Sequence, residues 1–393
     1  MQDYLVLHMF NNTKRAQTLV SFVGTISYFV SEIMTPLVQI ILERLGVRIS
    51  LLIGTLMVSG GLIASGFATT VWHLYLSQGV CYGAGISTIY LAITTVIPQW
   101  FVRRRSTAMG IANSGIGLAG LIIPYAMHTS NTALGASWTF RILGFVYLGA
   151  NLLACTLVKE KENKKKPFDE VTPSHKEDIV PGNNMAEDAE KLNNTLSRAT
   201  VSELFTDVNF LTYTASAFLQ VLSRNVPFFF LPSYATFIGL STTQGTSLIS
   251  IACAASFVGR ILVGMLADRF GNLKVAALFG TITGLSSLLL WIFAYTYPAL
   301  IALAVIIGFS FDTYYILMPP TLLEILGPQK FTTGLSMLMV LTSPAILGPS
   351  MISAVDDALN CEQFLPHKVF SGVLPILSSI IMLVLDRRIK KMQ

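Results

Sequence analysis

Charge is what this sequence has least of. Of 393 residues only 12% are Asp, Glu, Lys or Arg, against 53% hydrophobic, where a soluble domain carries about 25% charged residues. Histidine (5) and cysteine (4) are also scarce. Cys81, Cys155 and Cys253 fall inside apolar runs and Cys361 stands alone in a polar gap, so neither a disulfide framework nor a metal-ligand spacing can be assembled. His8, His73, His128, His175 and His367 all lie in gaps or at the ends of apolar runs. Gly83 and Gly85 form a GxG, but no strand precedes them and no soluble βαβ unit surrounds them, which excludes a nucleotide loop. No nucleophile stands beside a base. These absences exclude an enzyme; no cofactor and no metal are expected.

What the chain does have is long apolar runs. A bilayer core of about 30 Å takes roughly 20 apolar residues per helix. Such runs recur at about 18–42, 49–69, 71–97, 106–128, 137–158, 207–231, 244–267, 273–296, 299–325, 332–355 and 367–386. The expected class is an all-α polytopic membrane protein of about eleven transmembrane helices. The small residues Gly79 and Gly83, four apart, suit close approach of a neighbouring helix.

The net charge of +5 is not spread as a nucleic-acid surface would be. Alternate gaps, beginning with Arg44 and Arg48, hold twenty of the 26 Lys and Arg; the opposite side holds only Lys14, Arg15 and Lys368. That is positive-inside asymmetry, so the basic side, with the C-terminal Arg387, Arg388, Lys390 and Lys391, is expected to be cytoplasmic. The partners are then a lipid bilayer and a small solute, with no nucleic acid. The N-terminal MQDYLVLHMFNNTKRA has too short an apolar run, and no small-residue cleavage site, for a signal peptide. Asn11 opens a glycosylation sequon on the outer side, and a second at Asn193 falls on the basic side, where it stays silent.

Residues 159–206 are charged, Pro-bearing and nearly free of large apolar residues, and read as a disordered cytoplasmic linker. They divide an N-terminal bundle, 1–158 with about five helices, from a C-terminal bundle, 207–393 with about six. The halves share a corner. Glu43-Arg44-Leu45-Gly46-Val47-Arg48 closes a run in the first, and Asp268-Arg269-Phe270-Gly271, with Lys274, closes one in the second. Gly271 permits the turn, and Asp268 can cap or pair with a neighbouring helix end. Arg44, Asp268, Arg269 and Gly271 are therefore candidate gating residues.

An ionisable residue inside a membrane is costly and marks a pathway by default. Arg260 lies near the middle of its run, and a guanidinium offers a planar fork suited to a carboxylate. Asp312 is placed inside a helix, on one face with Gly308, Tyr315 and Pro319, where it could partner Arg260, carry a proton or bind a cation. Arg224 is placed in the outer part of its run. Pro319-Pro320 predicts a kink. Substrate contact is assigned to Arg260, Asp312, Tyr315 and Arg224.

These residues resemble the major facilitator superfamily, whose signature loop is matched by Glu43–Arg48 and more fully by Gly264-Met265-Leu266-Ala267-Asp268-Arg269-Phe270-Gly271 with Lys274. Within it the chain resembles the monocarboxylate porter family, above all the fungal branch that includes riboflavin transporters. The pattern of Trp100, Phe101, Arg104, Arg105, Ala108, Gly110, Ala112 and Gly115 carries that likeness, as do Leu326–Thr333 and Gly348-Pro349. The resemblance implies a fold of twelve helices in two bundles, of which this chain lacks the first. It implies transport of a small organic anion, a monocarboxylate or riboflavin-like metabolite, by alternating access, with protons as candidate co-substrate, in the plasma membrane. Animal members carry an Asp one turn before the arginine matching Arg260; here Ser256 stands there, and Asp312 replaces a residue that is usually small. The alternative is a non-transporting membrane sensor or a degenerate, truncated paralogue.

Overall fold

In hydrocarbon every backbone N–H and C=O must be paired within the protein, which makes helix the default for such runs. The computed structural model describes residues 16–159, 201–310, 312–358 and 364–392, and these hold helices and no strand. The sequons at Asn11 and Asn193, most of the linker, and Cys361 lie outside the described residues. In the first half are α1 (Ala16–Ile33), α2 (Thr35–Ser65), α3 (Val71–Trp100, with a π-helical stretch at Tyr75–Cys81) and α4 (Arg105–Leu157). The second half holds α5 (Val208–Arg224), α6 (Val226–Phe237), α7 (Thr242–Phe270), α8 (Asn272–Trp291), α9 (Tyr297–Ser310), α10 (Thr313–Thr342), α11 (Gly348–Ala358) and α12 (Leu365–Met392).

Seven stretches among the described residues are long and apolar enough to cross a membrane. The difference from about eleven is explained by three glycines and by the crossing Val208–Phe237, which is divided at Asn225 into two helices each too short to count alone. Gly46, Gly135 and Gly327, at φ 77°, 81° and 72°, interrupt α2, α4 and α10 with a backbone conformation that side-chain-bearing residues avoid. Each of those helices is therefore two rods joined at a corner. The two like corners are both built this way, Gly46 in the first half and Gly271 (φ 98°) in the second.

Several corners gather at one end of the molecule. Arg48 Nε donates to Val158 O (3.2 Å), Trp100 Nε1 to Lys159 O (2.8 Å), and Lys330 pairs with Glu203. We call this the basic end. Large apolar side chains such as Leu56, Leu153 and Phe293 stand exposed on the outside, as lipid-facing residues do.

The halves meet along two seams. In the first, the Arg105 end of α4 lies against α7 almost backbone to backbone. A Cβ on Gly110 would come within 2.4 Å of Arg260 O, and one on Gly264 within 2.4 Å of Ser106 O. In the second, the first rod of α2 faces the second rod of α10 through side chains. Ser336 Oγ donates to Gln39 Oε1 (2.6 Å), Gln39 Nε2 to Thr333 Oγ1 (2.9 Å), and Thr35 Oγ1 lies 3.2 Å from Ser336 O.

Pro319-Pro320, where a kink is expected, run inside α10 without a break. Two other expectations fail. The described interruption before Gly327 is at Asp312, a residue at φ 62° between α9 and α10. Asp tolerates the left-handed region better than most residues, and the break turns its carboxylate toward two arginines. Asp312 therefore does not sit inside a helix on one face with Gly308. Lys368, read as a charge in an outer gap, is instead 3% exposed at the start of α12, with Nζ 3.1 Å from Tyr234 OH and 4.3 Å from that ring's centre.

Candidate functional site

Midway along both seams lies a buried polar chain that joins the halves. Arg260, on α7, is 2% exposed and uses all three nitrogens. Nε donates to Ser256 Oγ (3.0 Å), Nη1 to Asn113 O on α4 (3.0 Å), and Nη2 to the Asp312 carboxylate. Ser256 thus occupies the position one turn before Arg260 as an acceptor without charge. The second oxygen of Asp312 accepts from Arg224 Nη1. One carboxylate bridges two guanidiniums, so neither arginine is a buried charge without a counterion, a situation that costs about 3–5 kcal/mol when one partner is removed.

Arg224 ends α5, and α6 continues beyond it through Asn225 in helical geometry to Phe237. This places Arg224 in the middle of a crossing that runs from Val208 to Phe237. The expectation that it sits at the outer mouth is corrected: the helical segment is longer than the apolar run suggested. Its side chain is 17% exposed, against 2% for Arg260, so it is the more accessible cation. Its guanidinium carbon stacks 4.2 Å from the centre of the Tyr315 ring, a cation–π contact. Beside Arg224 and Asp312, a cavity of about 30 Å³, room for roughly two waters, is lined by Gln220, Ser223, Thr283 and Ser310 among others.

The chain continues to a residue the sequence reading missed. Tyr315 OH donates to Glu32 Oε1 (2.6 Å), and Thr342 Oγ1 lies 3.4 Å from Glu32 Oε2. Glu32, near the end of α1, is 6% exposed. Its signal was present: a carboxylate inside the run 18–42 satisfies the rule that singled out Asp312. The structure brings Arg260, Asp312, Arg224 and Tyr315 together and adds Glu32, Ser256 and Asn113.

The candidate gating residues lie apart from this cluster, at the basic end. Asp268 Oδ1 accepts from Ser106 N (2.9 Å), and Oδ2 from Thr107 N (2.8 Å) and Thr107 Oγ1 (2.6 Å). A carboxylate on a helix N-terminus is favoured by the unpaired N–H groups and the helix dipole. Ser106 Oγ donates to Asn272 Oδ1 (2.6 Å), and Asn272 Nδ2 to Glu324 Oε1 (2.6 Å). Asp268 thus ties the second half to the first. Arg44 and Arg269 do not join it and are exposed, Arg269 lying 5.5 Å over Phe270; Gly271 supplies the turn. Among the described residues no group of three or more His, Cys, Asp or Glu could hold a metal.

The profile of the Major Facilitator Superfamily matches residues 4–349. The chain belongs to that superfamily. It is 27% identical over 90% of its length to an MFS-type transporter of Gibberella moniliformis, covering 79% of that protein. It is 26% identical over 88% of its length to the fujikurins efflux protein of Gibberella fujikuroi, covering 69% of it. Among solved structures it superposes on a proton:xylose symporter with TM-score 0.73 at 15% identity, covering 98% of this chain and 90% of that one. A superfamily member of this all-helical fold is a membrane transporter and not an enzyme, and the buried polar chain lies at the interface of its two halves.

Proposed function

We propose that this transporter carries a small organic anion, of the monocarboxylate or riboflavin-like class, by alternating access. The two bundles, 1–158 and 207–393, would rock about the polar chain, which is where transporters built from repeats place their substrate. The observation that carries the reading is the pair of arginines, one buried and one half-buried, sharing one aspartate where the two halves meet. Arg224, the more exposed of the two and backed by Tyr315, would meet the anion's carboxylate. Arg260, committed to Ser256, Asn113 and Asp312, would hold Asp312 in place until the seam opens. Asp268 and Gly271 would form the gate at the basic end, with Arg44 and Arg269 at its surface. The basic charge at that end supports its facing the cytoplasm, with the plasma membrane as the proposed location.

Export is a second reading of direction. It is favoured by the relative named as an efflux protein.

The test is initial uptake of radiolabelled lactate, pyruvate and riboflavin by the purified full chain in liposomes, with release from preloaded vesicles measured alongside. Saturable movement of lactate or pyruvate, the two carboxylates, is expected. Arg224→Gln should lower its kcat/KM by about 2–5 kcal/mol, roughly 30-fold or more. Transport of a neutral sugar, with all three compounds ignored and Arg224→Gln without effect, would overturn the reading.

A further inference from the structure

The anion reading leaves a charge to be explained. Arg224 and Arg260 supply two positive charges where the halves meet, and Asp312 with Glu32, when Glu32 is ionised, matches them. An incoming anion makes the sum negative in a medium where uncompensated charge is costly. One carboxylate must then be neutralised or the anion will not stay.

The two carboxylates differ in how they are held. Asp312 touches both guanidiniums, and a proton placed there would leave two buried arginines facing each other without a counterion. Glu32 is held among the described residues by neutral groups, the Tyr315 hydroxyl and Thr342. Its protonation breaks no direct ion pair there, and a protonated carboxyl can still donate to or accept from those hydroxyls. Around Glu32 the ionisable groups are Tyr28 on its own helix, Tyr90 from α3, Arg224 from α5, and Asp312, Tyr314 and Tyr315 from the second half. Arg224 is the cation nearest to the group in this set, and it reaches Glu32 through the Tyr315 ring it covers and the hydroxyl that ring carries. An anion that draws Arg224 away weakens the ionised form of Glu32 through the same side chain.

We propose that Glu32 is the proton-binding residue of this transporter, taking one proton as Arg224 turns to the substrate anion, so that proton and anion cross together. This rests on the anion reading. The proton comes from the water on the side open to substrate, sits on a Glu32 carboxyl oxygen during the crossing, and leaves when the anion leaves and Arg224 swings back. Glu32 belongs to the first half while its partners Tyr315, Thr342 and Arg224 belong to the second. Its protonation state therefore bears on the contact between the halves that alternates during transport.

The test uses the full chain in liposomes with radiolabelled pyruvate and lactate as probes. In wild type, acid outside should raise initial uptake about fivefold or more, the order of a coupling of 1 kcal/mol or above. In Glu32→Gln, a fixed mimic of the protonated group, the ratio of initial pyruvate uptake with and without the inward proton gradient should fall to about one, whatever rate the variant keeps. Glu32→Asp should keep the response with a moved pH midpoint, which shows that the site tolerates substitution. In weakly buffered detergent solution, pyruvate binding should draw one proton per site onto wild type and none onto Glu32→Gln. Proton uptake or gradient stimulation that survives in Glu32→Gln overturns the proposal while leaving anion transport standing. Wild type that moves neither probe in exchange overturns the anion reading and this proposal with it.

Discussion

Along α4 and α7 the two halves touch backbone to backbone, whereas along α2 and α10 they touch through amides and hydroxyls. The repeat relates the two seams, since Gly46 and Gly271 are like corners, and Glu43 stands three residues before its glycine as Asp268 does before its own. Asp268 reaches across to the start of α4 and accepts three hydrogen bonds. Glu43 stays on its own helix, taking a hydrogen bond from Gln39 (2.7 Å), and Gln39 makes the crossing to Thr333. The seams differ again where they meet the polar chain. There the first carries Arg260, charged and fixed by three partners, and the second carries Glu32, held by hydroxyls. Hydrogen bonds to charged groups contribute about 1.5–3 kcal/mol and neutral ones about 0.5–1.5. At the basic end, where Asp268 spans the first seam and Gln39 the second, the first should therefore be the stiff one and the second the one that yields.

The largest effect should come from the polar chain where it crosses the first seam. Asp312→Asn keeps the shape but leaves Arg224 and Arg260 without their shared carboxylate, and should destabilise the protein by about 3–5 kcal/mol. Thermal unfolding in detergent should show a clear drop, and exchange should be lost. A variant as stable as wild type would mean that the first seam does not depend on its charge.

Next is Asp268→Asn. The amide still offers one acceptor, but its NH₂ then faces the N–H and hydroxyl of Thr107, a donor against donors. The latch should weaken by about 1.5–3 kcal/mol, a shift of roughly 10–100-fold between closed and open forms of the basic end. Spin labels at the exposed positions of Arg103 and Arg269 would report this as a second, longer distance population. A single unchanged distance would remove Asp268 from the gate.

How much of this the sequence disclosed follows from what each feature depends on. The helices, their approximate ends and the two corners rest on local hydropathy and on glycine, and those are printed in order along the chain. Arg260 and Asp312 stood out because a charge inside an apolar run is a local anomaly. Their pairing is not local: it requires α9 to end before Asp312, and no run length signals that. Arg224 was put too near the surface because the apolar run 207–231 stops short of Phe237, where the crossing stops. Glu32 was legible by the same rule as Asp312 and was missed beside the polar Ser31 and Thr35. The burial of Lys368 depends on Tyr234 arriving from α6, 134 residues away in sequence.

The smallest effect should fall on the second seam, and it is the one that decides whether the contrast is real. Gln39→Ala removes the contacts to Thr333 and Ser336 and frees Glu43 at the surface. Because Thr333 and Ser336 are hydroxyls that can turn to backbone carbonyls, as Ser336 already does toward Thr333 O (3.0 Å), little is left unpaired. The cost should be about 0.5–1.5 kcal/mol, with a shift of less than roughly tenfold between labels at the exposed positions of Leu45 and Gln329. If Gln39→Ala opens the basic end as far as Asp268→Asn does, the seams are equal in strength despite their different chemistry. Closure would then be a property of the whole interface, and the role of the half-buried charge at Asp268 would have to be sought in folding instead of gating.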